Sequence, residues 1–338
     1  MKKNPLKYIL SAVALSAVFI AQAAANDLPE LRVGVLKFGT VNWELDTIKN
    51  QQLAKANGFK LHVVPLASNN ATKVALQGGA ADMIVSDWIW VSRQRAEGKH
   101  YTFIPYSNAV GAVMVADASP IKQVTDLAGK TIGIAGGPVD KSWLLLRAHY
   151  QKITGKDLKD SITPQFAAPP LLNEIAKQGD VDAALNFWHY NARLKASGMR
   201  TLIDIPQMLK SLEIDGPIPL LGWVVSDEFA DKNQALITQF IQASYQAKSQ
   251  LRNSDTLWLA LKKRMKATDN ETLFTTLRDE FRQGIPECLS QKHIDEAAKA
   301  YALMASIGGK QLVGDAKTLS EGTFWADFPK ETCQKILN

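Results

Sequence analysis

The chain has 338 residues, of which 46% are hydrophobic and 21% charged, with a formal net charge of +6. That length is enough for two hydrophobic cores, which excludes a small single module. Three of the excess charges, Lys2, Lys3 and Lys7, lie in the first seven residues, and removing them leaves +3. So weak a balance excludes an extended nucleic-acid surface, and the densest basic cluster, KKRMK at 262–266, alternates with apolar residues as a solvated helix face does.

In chain order, the first stretch, MKKNPLKYILSAVALSAVFIAQAAAND, has a basic start, an apolar middle and small residues around Ala21 to Ala25. This is the pattern of a secretory signal peptide over 1–25 with an A-x-A cleavage site. The mature chain is expected to begin at Ala24 or Asn26. The apolar run is short for a membrane span, and no other segment is apolar enough to be one.

Next, LRVGVLKF at 31–38 reads as a strand. VNWELDTIKNQQLAKANG at 41–58 reads as one helix, with Asn42 as its N-cap and Asn57-Gly58 as its stop. FKLHVVPL, NATKVALQGG and ADMIVSD continue as strand, helix, strand, which implies parallel pairing in an α/β layer. At SDWIWV a continuing strand would put Trp88 and Trp90 on one face, whereas a helix starting at Asp87 separates them. The helix reading places Trp88 at the strand's carboxyl end and turns Trp90 into the core.

After GAVMVADASPI the pattern restarts: DLAGKTIGIAGG gives a strand closed by glycines, and PVDKSWLLLRAHYQKITG a helix. NEIAKQGDVDAALNFWHYNARLKASG repeats the order seen at ALQGGAADMIVSDWIWVSRQRAEG: helix, Gly, Asp, Ala, strand, then Trp opening another helix. PIPLLGWVVSDEFA returns as a strand, and the chain from Asp231 onward is helical. Five of the eight tryptophans, Trp43, Trp88, Trp143, Trp188 and Trp223, fall where strands end or helices begin. In open parallel sheets that is where ligands sit. Cys288 and Cys333, the only two cysteines, read as one disulfide in an exported protein, with stabilisation of about 4 kcal/mol in the chain-entropy model.

The series ALQGGAADM, ASPIKQVTDLAGKTIGIAGG and GDVDAALNFW behind an A-x-A signal resembles the periplasmic substrate-binding proteins of ABC importers, in the nitrate, sulfonate, taurine and thiamine-pyrimidine group. The resemblance spans roughly residues 30–230, with DLAGKTIGIAGG as its most specific part. It implies an α/β, two-lobed periplasmic binding protein type II fold with hinge strands and a helical C-terminal tail. Residues 26–115 and 220–338 would form lobe 1 and 116–219 lobe 2, with crossings near 114–116 and 220–224. It further implies a small-molecule ligand held between the lobes, a periplasmic location and a membrane permease as partner; a monomer that is not an enzyme is expected.

The residues themselves fill in that cleft. Glycines Gly136 and Gly137 ahead of a helix let a ligand approach backbone N–H groups, with Asp140 at the helix start and Trp143 in its first turn. Ser68 and Asn69 have the same form in the first lobe, one as a cap and one as a contact. Asp87 and Trp88, with Trp188 facing Trp88 or Trp43 from the second lobe, supply acid and aromatic walls, and Asn42, Trp43 and Asn108 complete the expected set. Carboxylates beside indoles suit a flat nitrogen-bearing ring or an ammonium group rather than a simple anion. The five histidines show no paired spacing, so no metal and no cofactor is expected. No Walker A, G-x-S-x-G or H-E-x-x-H motif is present; a periplasmic enzyme or a redox-enzyme accessory on the same fold is the alternative.

Overall fold

The computed structural model describes residues 28–216 and 218–337, so the leader expected over 1–25 lies outside the described residues. The first half runs β1 (Glu30–Leu36), α1 (Val41–Asn50), α2 (Leu53–Ala56), β2 (Lys60–Leu66), α3 (Asn69–Gln77), β3 (Met83–Ser86), α4 (Trp88–Ala96) and β4 (Tyr101–Ser107). The second runs β5 (Ala112–Ala116), β6 (Thr131–Ala135), α5 (Lys141–Thr154), β7 (Thr163–Ala167), α6 (Pro169–Gln178), β8 (Ala183–Asn186), α7 (Trp188–Lys195), β9 (Met199–Asp204), α8 (Ile205–Ser211) and β10 (Leu221–Ser226).

Two five-stranded sheets result, ordered β2-β1-β3-β10-β4 and β7-β6-β8-β5-β9. The orders match position for position, with β10 and β5 exchanged: each sheet takes its one antiparallel strand from the far side of a crossing. The chain therefore passes between sheets at 108–111 and again between β9 and β10. The first passage precedes the expected 114–116, because Met114 already pairs with Ala184 and Thr201 inside the second sheet.

The aspartate that both repeats carry three residues after a glycine, Asp82 and Asp182, has a backbone role. In the first lobe the Asp82 N–H donates to the Arg32 carbonyl while its carboxylate accepts the Arg32 N–H, each at 2.8 Å. In the second, Asp182 does the same with Thr131, at 2.9 and 2.8 Å. Each aspartate thus fixes the register of a neighbouring strand where the sheet ladder begins.

The single helix expected over 41–58 is two helices. Gln52 sits in the left-handed region at φ 55°, which ends α1 and re-aims α2 so that Leu53 and Ala54 reach the core. Beyond β10 come α9 (Asp227–Lys232), α10 (Gln234–Asn253), α11 (Asp255–Met265), α12 (Glu271–Gln283), α13 (Gln291–Val313) and α14 (Lys330–Leu337). The sequence assigns this tail to the first lobe alone. The structure seats α10 and α11 on α1, but α12 on α7, and α13 on both α4 and α5. The expected Cys288–Cys333 disulfide is present, with Cα atoms 5.9 Å apart.

Candidate functional site

The carboxyl ends of β1 and β3 in one lobe and of β6 and β8 in the other point into the gap that the two passages span, and side chains from these ends meet across it on two flanks.

On the first flank Asp87 caps α4, its Oδ1 accepting the Trp90 N–H at 2.9 Å, while its Oδ2 accepts from Lys141 Nζ of the other lobe at 2.9 Å. Both are largely sheltered, with side chains 15% and 33% exposed. Burial works against each charge, but the pairing outweighs it: Asp87 lies below the usual carboxylate range and Lys141 above the usual amine range. Beside them Asp140 caps α5, accepting N–H groups of Ser142 and Trp143 at 2.9 and 3.3 Å. Burial pushes its carboxyl up, against the pull of Lys141 and those N–H groups. Lys73 of α3 lies 5.1 Å from the centre of the Trp90 ring, and burial lowers its ammonium pKa despite the nearby Asp87.

On the second flank Trp43 of α1 meets Trp188 of α7 edge to face, with ring centroids 5.8 Å apart. Trp258 and Phe281 from the tail close around them, each with its centroid 6.0 Å from that of Trp43. Below Trp43, Glu44 is fully buried and ion-paired with the equally buried Lys248, and the Ser244 hydroxyl bonds both.

The second-lobe strand end is braced by asparagines. Asn186 donates to the Pro169 carbonyl at 3.0 Å and to Asn173 Oδ1 at 2.8 Å. Asn191 donates to the carbonyls of Ala112 and Asn186 at 3.1 and 2.9 Å, tying β5 to β8 beside the passage.

The structure divides the expected residues. Asp87 and Asp140 come together on the first flank and Trp43 and Trp188 on the second, with Trp188 against Trp43 rather than Trp88; both indoles are buried under Trp258 and Phe281, so they pack the lobes together instead of standing as open cleft walls. Ser68 caps α3 through the Ala71 N–H at 3.1 Å, and Asn69 opens that helix on the exposed rim. Gly136 takes φ +86°, a value only glycine adopts freely, and with Gly137 forms the open turn before Asp140. Asn108 gives its N–H to the Gly284 carbonyl at 2.8 Å, and its buried side-chain Oδ1 has no protein partner among the described residues.

Three expected roles are corrected. Asn42 is not the N-cap of α1; it lies inside the helix and donates to the carbonyls of Leu36 and Gly39 at 2.9 and 2.7 Å, folding the turn after β1. Trp143, 2% exposed, packs in the core with the Arg147 guanidinium 5.9 Å from its ring. Trp88 and Trp90 are reversed. The helix starts at Trp88 with Asp87 as cap, as expected, yet Trp88 is wholly buried beside Tyr301 and Phe324 while Trp90 stays half-buried against Tyr101. Those buried partners belong to the C-terminal tail, which turns the apparent cleft side of Trp88 into core. All five strand-end tryptophans are 7% exposed or less.

Two features escaped sequence reasoning. Phe38, just past β1, is 79% exposed, with Lys37 and Lys266 ammonium groups each 5.5 Å from its ring centre; the sequence reading ran the strand through it. Lys73 is spaced as an ordinary helix-face lysine and gave no signal. His189 stays neutral, its pKa lowered to about 3 by burial and by Arg193. Among the described residues no group of three or more His, Cys, Asp or Glu is placed to hold a metal.

The NMT1/THI5-like family model matches residues 54–254. A protein of Escherichia coli (strain K12), named for binding aliphatic sulfonates, is 27% identical over 262 residues, covering 75% of this chain and 77% of its own. Among solved structures, the periplasmic aliphatic sulphonate binding protein SsuA of Escherichia coli aligns with a TM-score of 0.69 at 21% identity, over 88% of this chain and 92% of its own. The alkanesulfonate-binding protein SsuA of Xanthomonas axonopodis pv. citri, bound to MOPS, aligns at 0.65 and 20% identity, over 89% and 99%.

Proposed function

The chain belongs to the NMT1/THI5-like family, and on that premise we propose that it is the exported solute-binding component of an ABC import system, holding one small organic molecule between its lobes and passing it to a membrane permease. The observation that carries this reading is the pairing of strand ends from two sheets across a twice-crossed hinge, with Asp87–Lys141 and Trp43–Trp188 reaching from lobe to lobe. A ligand bound there touches both lobes and favours the state in which they are together.

The electrostatics argue for an aromatic or nitrogen-bearing ligand over a simple anion. A helix N-terminus attracts anions through its free N–H groups. Here the starts of α4 and α5 already carry Asp87 and Asp140. The charges of Lys73 and Lys141 are matched by these two carboxylates, so that flank keeps no surplus positive charge for a sulfonate. The exposed Phe38 at the end of β1 offers a face for stacking. Binding is proposed without turnover: both cysteines are held in the disulfide, which leaves no thiol nucleophile.

Native mass spectrometry of the mature protein, to identify any small molecule that travels with it, tests the reading. It is followed by calorimetry and thermal melts with nitrogen heterocycles, quaternary amines and aliphatic sulfonates. The expected result is 1:1 binding of a nitrogen-bearing compound, stabilising by about 2.7 kcal/mol at a hundredfold excess over Kd. Binding confined to sulfonates would overturn the ligand class, and chemical conversion of the bound compound would overturn the transport role.

A further inference from the structure

We propose that the C-terminal helices form a clasp that holds the two lobes together whether or not the cleft is filled, with residues 284–290 as a strap across the back of the hinge. The inference rests on the hinge of the proposed function and is independent of which ligand is bound.

The strap lies directly on the first passage. The Gly284 carbonyl accepts the Asn108 N–H at 2.8 Å, and a Cβ at Gly284 would stand 2.5 Å from that of Ala109. Glycine is required here for space, since its φ of −80° is open to any residue. Between strap and second passage a cavity of about 450 Å³, lined by Val110, Leu209, Leu220 and Ile285 among others, leaves the hinge some room to flex. The Cys288–Cys333 disulfide ties the strap to α14, which packs on α10 of the first lobe.

From the strap the tail reaches down both flanks. On the aromatic side Phe281 has its ring centroid 6.0 Å from that of Trp43 in the first lobe and 6.5 Å from that of Trp188 in the second. Glu280 pairs with Lys195 of the second lobe at 2.6 Å, while Arg264 pairs with Asp46 of the first at 2.9 Å. On the polar side Tyr301 of α13 packs on Trp88 of the first lobe. A Cβ at Gly308 of the same helix would lie 2.9 Å from Leu144 of the second. Glu296 accepts the Asp215 N–H of the second passage at 2.8 Å. Opening the lobes widely would shear contacts on both flanks at once, most of them dry. The clasp therefore narrows the swing available to a ligand-free molecule, and entry to the cleft needs only a small opening.

X-ray scattering of the ligand-free mature protein, with hydrogen exchange of the amides at 108–111, tests the clasp. The variants are Phe281→Ala, the double variant Cys288→Ser/Cys333→Ser, and, as a control, Leu259→Ala at a 56% exposed side chain of α11. Wild type and control, both ligand-free, should scatter as this structure does. Phe281→Ala and the double variant should show a larger radius of gyration without ligand, and hinge amides exchanging about tenfold faster or more. If Phe281→Ala does not fold, Glu280→Gln, which removes only the ion pair to Lys195, takes its place with a smaller shift in the same direction. Ligand-free wild type already as extended as the variants, or folded variants with unchanged dimensions and exchange, would overturn the proposal.

Discussion

The two flanks of the cleft join the same two lobes by opposite means. One is polar and partly wet, with Asp87 and Lys141 paired near two capped helix starts. The other is dry, with Trp43, Trp188, Trp258 and Phe281 in one cluster over a buried Glu44–Lys248 pair. A partly sheltered ion pair still yields to pH and, at its exposed edge, to salt, whereas packed indoles are indifferent to both. The aromatic flank therefore sets how firmly the lobes are held, and the polar flank sets what they respond to.

The largest expected effect breaks the dry side. Trp258 is fully buried, donates its indole N–H to the Leu251 carbonyl at 2.7 Å, and touches both Trp43 and Phe281. Trp258→Ala should lower stability by about 3–5 kcal/mol, as deletion of a buried indole does. Chemical denaturation at low and high salt should give the same loss. A loss that shrinks in high salt would mean that charge, not packing, carries this flank.

Why the flanks differed in legibility follows from where their partners lie in sequence. The polar flank is local: Asp87 and Asp140 each stand one residue before a helix, so both caps and the twofold repeat could be read from short strings. The fold class and the parallel layers were legible for the same reason, and the disulfide because the chain holds only two cysteines. The aromatic flank is not local, since Trp43 meets Trp258 and Phe281 more than 200 residues away, and no periodicity reports such a contact. The same distance reversed Trp88 and Trp90, because Tyr301 and Phe324 decide which of them is core. The first passage was misplaced for another reason: β5 is an apolar run whichever sheet it joins, and only pairing tells which.

The next effect sharpens the polar side. Asp87→Asn keeps a capping side chain but removes the charge opposite Lys141, so it isolates the ion pair at about 1 kcal/mol. The sign with pH is fixed. The folded-state pKa of Asp87 lies below its ordinary 3.8, so its contribution is fully present above that value and is lost as pH falls through the folded pKa. Asp140 works the other way. Its pKa is raised in the fold, so its protonation relieves a cost as the medium turns acid. Melting wild type and Asp87→Asn from pH 7 downward should show the gap between them closing only below the ordinary carboxylate range. A gap that closes while both carboxylates are still ionised would remove Asp87 from the account.

The smallest effect on stability decides the most about the ligand. Lys73 has its ammonium over the Trp90 ring, a contact worth about 0.5–1 kcal/mol when partly exposed, so Lys73→Met should cost no more than that. It also takes one positive charge from a cluster in which Lys73 and Lys141 balance Asp87 and Asp140, leaving the polar flank with one negative charge in excess. A ligand that brings an amine or a protonated ring to this flank should bind the variant more tightly, and the gain should fade as salt is added. A ligand that brings an acid group should bind it more weakly. Calorimetry of wild type and Lys73→Met with the same compound therefore reads the sign of the ligand's charge from the direction of the change. Weaker binding would show that Lys73 holds an anion, and the carboxylates at the helix starts would then serve only as caps.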